Sequence, residues 1–136
     1  MAQVFITDYI DNPNLEQGVL ADSVSIKSNI DTEVLLVWHQ HVDGQYLDQF
    51  PKLKGVVRYG VGFDKIDLEE IRSRGLVFCN TPDYGTDEVS DTALAMMLSL
   101  LRGVFAYDVL SKRYSNTWQE NTIEKLHRVS GLTLGV

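Results

Sequence analysis

One cysteine, Cys79, stands among the 136 residues. An internal disulfide framework is therefore excluded, and an intracellular setting is the expectation. Cys79 lies in the apolar run Leu76–Cys79 and reads as a small core residue, since free cysteine is among the most buried residue types. Basic residues are also few. Twelve Lys and Arg face nineteen Asp and Glu, for a formal charge of −7. That balance argues against a nucleic-acid or anionic-membrane surface, which needs a broad basic patch. It leaves room for a local cationic site that takes a small anion. There are three histidines, His39, His41 and His127. The His39-Gln-His41 spacing suits two metal ligands, but a third is missing, so no metal is expected and both read as polar loop residues. Long apolar runs are absent too. The longest, Ala93–Leu101, is too short to cross a bilayer, and Met1–Tyr9 lacks the basic and apolar regions of a signal peptide. The expectation is a soluble, cytoplasmic protein.

What is present is ordinary globular material, with 44% apolar and 23% charged residues. Short apolar runs alternate with helical patterns. Gln3–Thr7 reads as a strand, Asn14–Leu20 as a short helix and Ser23–Lys27 as a weakly signalled strand. Val34–Trp38 is a continuous apolar run, the mark of a strand buried on both faces. Asp43–Phe50 reads as a helix, with Asp43 as N-cap and Pro51 as its stop. Val56–Tyr59 is the next strand. Asp67 followed by Glu70 resembles a capping box, and Gly75 sits where that helix should end. Leu76–Cys79 follows as a strand. This alternation predicts the α/β class, a flavodoxin-like parallel sheet with helices on both faces.

From Thr86 to Arg113 the pattern predicts one long helix. Val89, Ala93, Met96, Met97, Leu100, Leu101 and Val104 form a broad apolar face, and Gly103 is a mild interruption costing about 1 kcal/mol. A helix of that length is expected to reach a second domain or subunit. Asp87, Glu88 and Asp91 suit the positive end of the helix dipole and need no catalytic explanation. Leu132–Val136 reads as the start of another strand, so the chain is expected to be interrupted there. The expected organisation is a substrate-binding domain over 1–85, a crossing helix and connector over 86–130, and the first strand of a nucleotide-binding domain over 131–136.

The chemistry-bearing stretch is Val56–Asp67, in which a buried strand runs into a loop containing Gly60 and Gly62. Open α/β sheets bind ligands at the carboxyl ends of their strands. Two glycines there allow close backbone approach, and successive N–H groups make an anion nest. Arg58 adds a planar fork for a carboxylate or phosphate. Asn80-Thr-Pro82 closes the next strand at the same edge, either as a rigid turn or as a second wall of the cleft; Pro82 keeps Thr81 extended.

Val56–Asp67, Gly75–Pro82 and Val89–Leu98, in this order, resemble the N-terminal half of D-isomer-specific 2-hydroxyacid dehydrogenases, the family of phosphoglycerate, glycerate and D-lactate dehydrogenases. The related C-terminal-binding-protein corepressors are similar as well. Gly131–Val136 is similar to the strand that enters the family's dinucleotide loop, and the resemblance covers about residues 34–136. It implies an NAD-dependent exchange of hydride between a 2-keto acid and a D-2-hydroxy acid in the full-length protein. It implies a substrate site at Arg58, Gly60, Val61 and Gly62, with loop N–H groups on the substrate carboxylate and Val61 also near the nicotinamide. Valine brings no hydroxyl, so its N–H is the group that counts. The resemblance further implies a homodimer through residues 86–113. The family's dinucleotide loop and its catalytic Arg, Glu and His have no counterparts here, so no catalytic residue and no NAD binding are expected of this chain alone. The alternative is a non-enzymatic scaffold or dimerisation module. A receiver domain is disfavoured: Asp8 and Asp11 mimic its acidic cluster, but Trp38-His39 stands where its phosphoacceptor aspartate belongs.

Overall fold

The computed structural model describes residues 3–113 and 126–135. They form two compact units, Met1–Tyr84 and Gly85–Val136. The first holds five strands: β1 (Val4–Ile6), β2 (Val24–Ser25), β3 (Val34–Val37), β4 (Gly55–Arg58) and β5 (Val77–Asn80). All pair in parallel, in the order β2-β1-β3-β4-β5. That order is the flavodoxin-like one, as the alternating pattern predicts. The helices of this unit are α1 (Asn14–Leu20), α2 (Gly44–Leu47) and α3 (Leu68–Ser73).

Strand side chains alternate between the two faces. Phe5, Leu35, Val37 and Val56 pack with Leu47 of α2, Phe50 and Ile71 of α3. Val4, Ile6, Val24 and Leu36 form the other core, against Leu20 at the end of α1. Leu35 and Val37 are fully buried, as a central parallel strand requires. Cys79 departs from expectation. It is exposed, because β5 is the edge strand and its residues 77 and 79 face a side that the unit's helices leave open.

Both short helices on the first face are capped by aspartate. Asp43 accepts from the Tyr46 N–H at 2.8 Å, and Asp67 accepts from the Glu69 and Glu70 N–H groups at 3.0 Å each. The capping box at Asp67 is only half formed. Glu70 turns forward to Arg74, while the Asp67 N–H donates to Val42 O at 2.9 Å. Gly75 ends α3 at φ 67°, a conformation glycine adopts without penalty.

Asp8 joins β1 to β3. Its carboxylate accepts from the Trp38 N–H at 3.0 Å and the His39 N–H at 2.6 Å, and the Thr7 hydroxyl donates to it at 2.5 Å. Burial pushes its pKa up. The three hydrogen bonds and the nearby His39 outweigh that and hold it below the ordinary aspartate value.

The second unit corrects one expectation. The single helix over Thr86–Arg113 is two helices, α4 (Thr86–Leu101) and α5 (Val104–Ser111), bent by 60°. Gly103 is the cause. It takes the left-handed conformation, φ 63°, and its N–H closes on Leu100 O at 3.2 Å, in the manner of a glycine C-cap. The apolar periodicity continues across the break and hides it. No single helix among the described residues is long and apolar enough to cross a membrane. The expected strand at the C-terminus is not formed either: residues 132–135 carry no regular structure after a turn at Gly131, and Val136 lies outside the described residues.

Two substitutions test these local devices. Asp67→Ala should lower the unfolding free energy in urea by about 1 kcal/mol, the usual cost of an N-cap. Asp8→Asn should cost about 1 kcal/mol at neutral pH, the low end for bonds to a charged group because Asp8 is partly solvated. The folded pKa lies below the unfolded one, so this contribution is complete above the ordinary aspartate range and fades as pH falls through the folded value. The gap between Asp8→Asn and wild type should therefore close in acid. A gap that stays constant with pH would contradict the ionised latch.

Candidate functional site

Parallel register sets the strand ends level. Val37 lies beside Arg58, and Arg58 beside Asn80. The segments leaving β1, β3, β4 and β5 therefore emerge along one edge, and residues far apart in sequence become neighbours: Asp8 and Tyr9, His39, the Gly60–Gly62 loop, and Asn80-Thr-Pro82.

The Gly60–Gly62 loop is anchored on both sides. Toward β3, the Tyr59 N–H donates to Val37 O at 2.8 Å. Toward β5, the Thr81 N–H donates to Gly60 O at 3.1 Å and the Asn80 side chain donates Nδ2–H to Val61 O at 2.9 Å. Downstream, the Val42 N–H donates to Lys65 O at 2.9 Å, and Lys65 Nζ donates to His39 O at 3.3 Å. Two carbonyls of the loop, those of Gly60 and Val61, are thus occupied. Its next two donors are not: among the described residues, the N–H groups of Val61 and Gly62 have no acceptor. Gly60 sits at φ 149°, where L side chains are strained, and a Cβ there would collide with the Arg58 guanidinium. The backbone conformation is what calls for glycine here, since the Arg58 guanidinium is the end of a flexible arm that can swing aside. Val61 is half exposed, at 51%.

Arg58 donates Nη1–H to Tyr59 O. Neither Arg58 nor Lys65 meets a carboxylate at ion-pair distance among the described residues, whereas Lys52, Lys54 and Arg74 all do. Trp38, His39, Arg58, Gly62, Asp64 and Lys65 line a cavity of about 90 Å³, room for one small polar group or a few waters. Larger hollows of about 360 and 410 Å³ lie at the amino ends of the strands, around Arg74 and around Ser28. Volume alone would favour them, but Arg74 beside the first is tied to Asp48 and Glu70, and the second is lined by neither arginine nor glycine. The chemistry therefore favours the carboxyl edge.

Other candidates separate. His39 packs against Tyr9 at a tilt of 44°, ring centroids 4.6 Å apart; Tyr9 is held in a left-handed conformation, φ 68°. His41 points instead to Asp43, Nε2 to Oδ2 3.8 Å. Among the described residues no three His, Cys, Asp or Glu side chains gather as a metal site would need. Tyr59 is turned to α1 and donates its hydroxyl to Glu16 at 3.4 Å. Burial, with the charge and hydrogen bond of Glu16, pushes its pKa up to about 12, so it stays protonated at neutral pH. The Trp38 Nε1–H is buried with no acceptor among the described residues, and its ring packs edge-on against Tyr59 at 5.8 Å. Sequence reasoning puts the glycine loop directly after the strand that carries Arg58, and in the structure Arg58 ends β4 just before Gly60, Val61 and Gly62. It misses the Asp8 latch and the Asn80 contact. The signal for both was a short polar side chain just at or past a strand end, facing unpaired groups of the next strand.

The chain resembles known proteins over most of its length. Residues 6–134 match the family model of the D-isomer specific 2-hydroxyacid dehydrogenase catalytic domain. A glyoxylate reductase of Thermococcus litoralis is 36% identical over 107 residues, which are 79% of this chain and 30% of that protein. A hydroxyphenylpyruvate reductase of Plectranthus scutellarioides is 33% identical over 94 residues, 69% of this chain and 29% of that protein. Among solved structures, an NADPH-dependent glyoxylate/hydroxypyruvate reductase of Sinorhizobium meliloti superposes with a TM-score of 0.68 at 26% identity, covering 82% of this chain and 38% of that one. A D-lactate dehydrogenase of Aquifex aeolicus, solved with NAD and lactic acid, shares the fold with a TM-score of 0.77 at 21% identity, covering 90% of this chain and 41% of that one. The chain spans about 30% of the length of the curated relatives it matches. On the family match and these relatives together, it belongs to the D-isomer-specific 2-hydroxyacid dehydrogenase family, as part of its catalytic domain.

Proposed function

We propose that this chain supplies the substrate side of an NAD(P)-dependent dehydrogenase that exchanges hydride between a 2-keto acid and a D-2-hydroxy acid. The observation that carries the reading is the pair of acceptor-free N–H groups on Val61 and Gly62, next to Arg58, at the carboxyl edge of the sheet. Two adjacent backbone donors with a guanidinium beside them suit the two oxygens of a carboxylate. Gly60 and Gly62 let the backbone come close, and Arg58 supplies the charge.

The same residues do not hold a dinucleotide. Lys65 stands where a Gly-x-Gly-x-x-Gly loop would place its third glycine after Gly60 and Gly62. No hydride step is assigned to this chain, and none of its residues is assigned a catalytic role. Val61 is the residue we assign to contact the nicotinamide cofactor of the whole protein. Family relatives use NAD or NADPH. The exposed apolar residues of the second unit, among them Leu94, Met96, Leu98 and Leu100 of α4 and Phe105 and Val109 of α5, favour a homodimer through residues 86–113. The same surface would serve the non-enzymatic scaffold, the second reading.

Pyruvate is the simplest probe of the carboxylate site. Added to the ¹⁵N-labelled chain, it should shift the Val61 and Gly62 amide signals saturably, and Arg58→Gln should weaken that binding about tenfold. Amide shifts confined to other loops would contradict the assignment. Calorimetry with NADH should give no heat of binding; micromolar affinity would overturn the view that these residues lack a dinucleotide site. Light scattering should return twice the monomer mass, and a monomer at high concentration would refute the dimer.

A further inference from the structure

The two carbonyls that open the Gly60–Gly62 loop are held by consecutive residues at the end of β5. The Thr81 N–H takes Gly60 O at 3.1 Å, and Asn80 Nδ2 takes Val61 O at 2.9 Å. No peptide bond among the described residues is cis. In a trans peptide each carbonyl points opposite to the N–H of the next residue. Drawing the Gly60 carbonyl toward β5 therefore turns the Val61 N–H away from β5. Drawing the Val61 carbonyl the same way turns the Gly62 N–H in parallel. Neither of these two N–H groups has an acceptor among the described residues.

We propose that Asn80 is a positioning residue for substrate binding: its side-chain amide, paired with the Thr81 N–H, aims the Val61 and Gly62 N–H groups side by side at one carboxylate. This rests on the reading of the loop as the carboxylate site. The glycines that give the loop its shape also leave its peptide planes free to rotate, so a fixed donor pair needs an external clamp. An amide is suited to it. Asparagine offers N–H donors on a short arm, whereas aspartate would set acceptors against the Val61 carbonyl. Pro82 restricts Thr81 to an extended conformation, which stiffens the other half of the clamp. Arg58 sits level with Asn80 in the β4–β5 register, so the cation and the clamp share one row of the sheet. The Asn80-Thr-Pro82 stretch thereby gains a function beyond its turn.

The test uses the whole chain, with pyruvate as probe and amide NMR as readout. In wild type, the Asn80 side-chain amide signals should shift along the same saturation curve as the Val61 and Gly62 N–H signals. Asn80→Asp, which keeps the size and removes the donor, and Asn80→Ala should each weaken pyruvate binding by about tenfold or more, with melting temperatures unchanged. Should either variant fail to fold, the wild-type side-chain signals decide. No response of Val61 and Gly62 to pyruvate in wild type would overturn the carboxylate reading, and the clamp with it. If those two respond while the Asn80 side chain stays still, or if folded variants bind as tightly as wild type, the clamp alone is overturned.

Discussion

The parallel register of the sheet is the constraint on which the rest depends. A slip of one residue between β4 and β5 would take Asn80 away from Arg58 and exchange the faces of every side chain on the strand. Burial enforces the register. Leu35, Val37 and Val56 are sealed on one face by α2 and α3, and Leu36 and Ile6 on the other. Parallel strands all finish at one edge, so a well-ordered core automatically delivers several loops to one place. The core does not choose the chemistry of those loops. It fixes where they begin.

At that edge the sheet's hydrogen bonding stops, and backbone groups must be satisfied in other ways. Two solutions appear. Where β1 meets β3, a carboxylate from Asp8 accepts the surplus N–H groups of Trp38 and His39. Where β4 meets β5, donors from Asn80 and Thr81 take the surplus carbonyls of Gly60 and Val61. The first arrangement closes the strand ends to further binding. The second leaves N–H groups outward and so leaves the loop receptive to an anion. Which groups are capped and which are left free distinguishes a structural strand end from a binding one.

Much of this was legible in the sequence. Apolar runs such as Val34–Trp38 fix strands because only a doubly covered strand tolerates unbroken hydrophobicity. Asp43 and Asp67 announce helix starts, and the glycine pair after Arg58 marks a loop whose backbone approaches a ligand. What stayed hidden has physical causes. Gly103 continues an apolar helical pattern, and periodicity carries no record of whether a glycine is inside a helix or ends it. Cys79 looks buried because residue type says nothing about which strand is at the edge. The Asn80 and Asp8 contacts join residues 19 and 30 or more positions apart. They exist only once the register aligns the strand ends, so no local pattern encodes them.

The central claim is that the backbone of Val61 and Gly62, not a side-chain cluster, receives the substrate carboxylate. A crystal structure of the chain with oxamate, an isostere of pyruvate, tests it most directly. The account predicts the oxamate carboxylate on the Val61 and Gly62 N–H groups, within hydrogen-bond distance of both and with Arg58 beside it. Oxamate bound elsewhere, with those two N–H groups still without an acceptor, would contradict it.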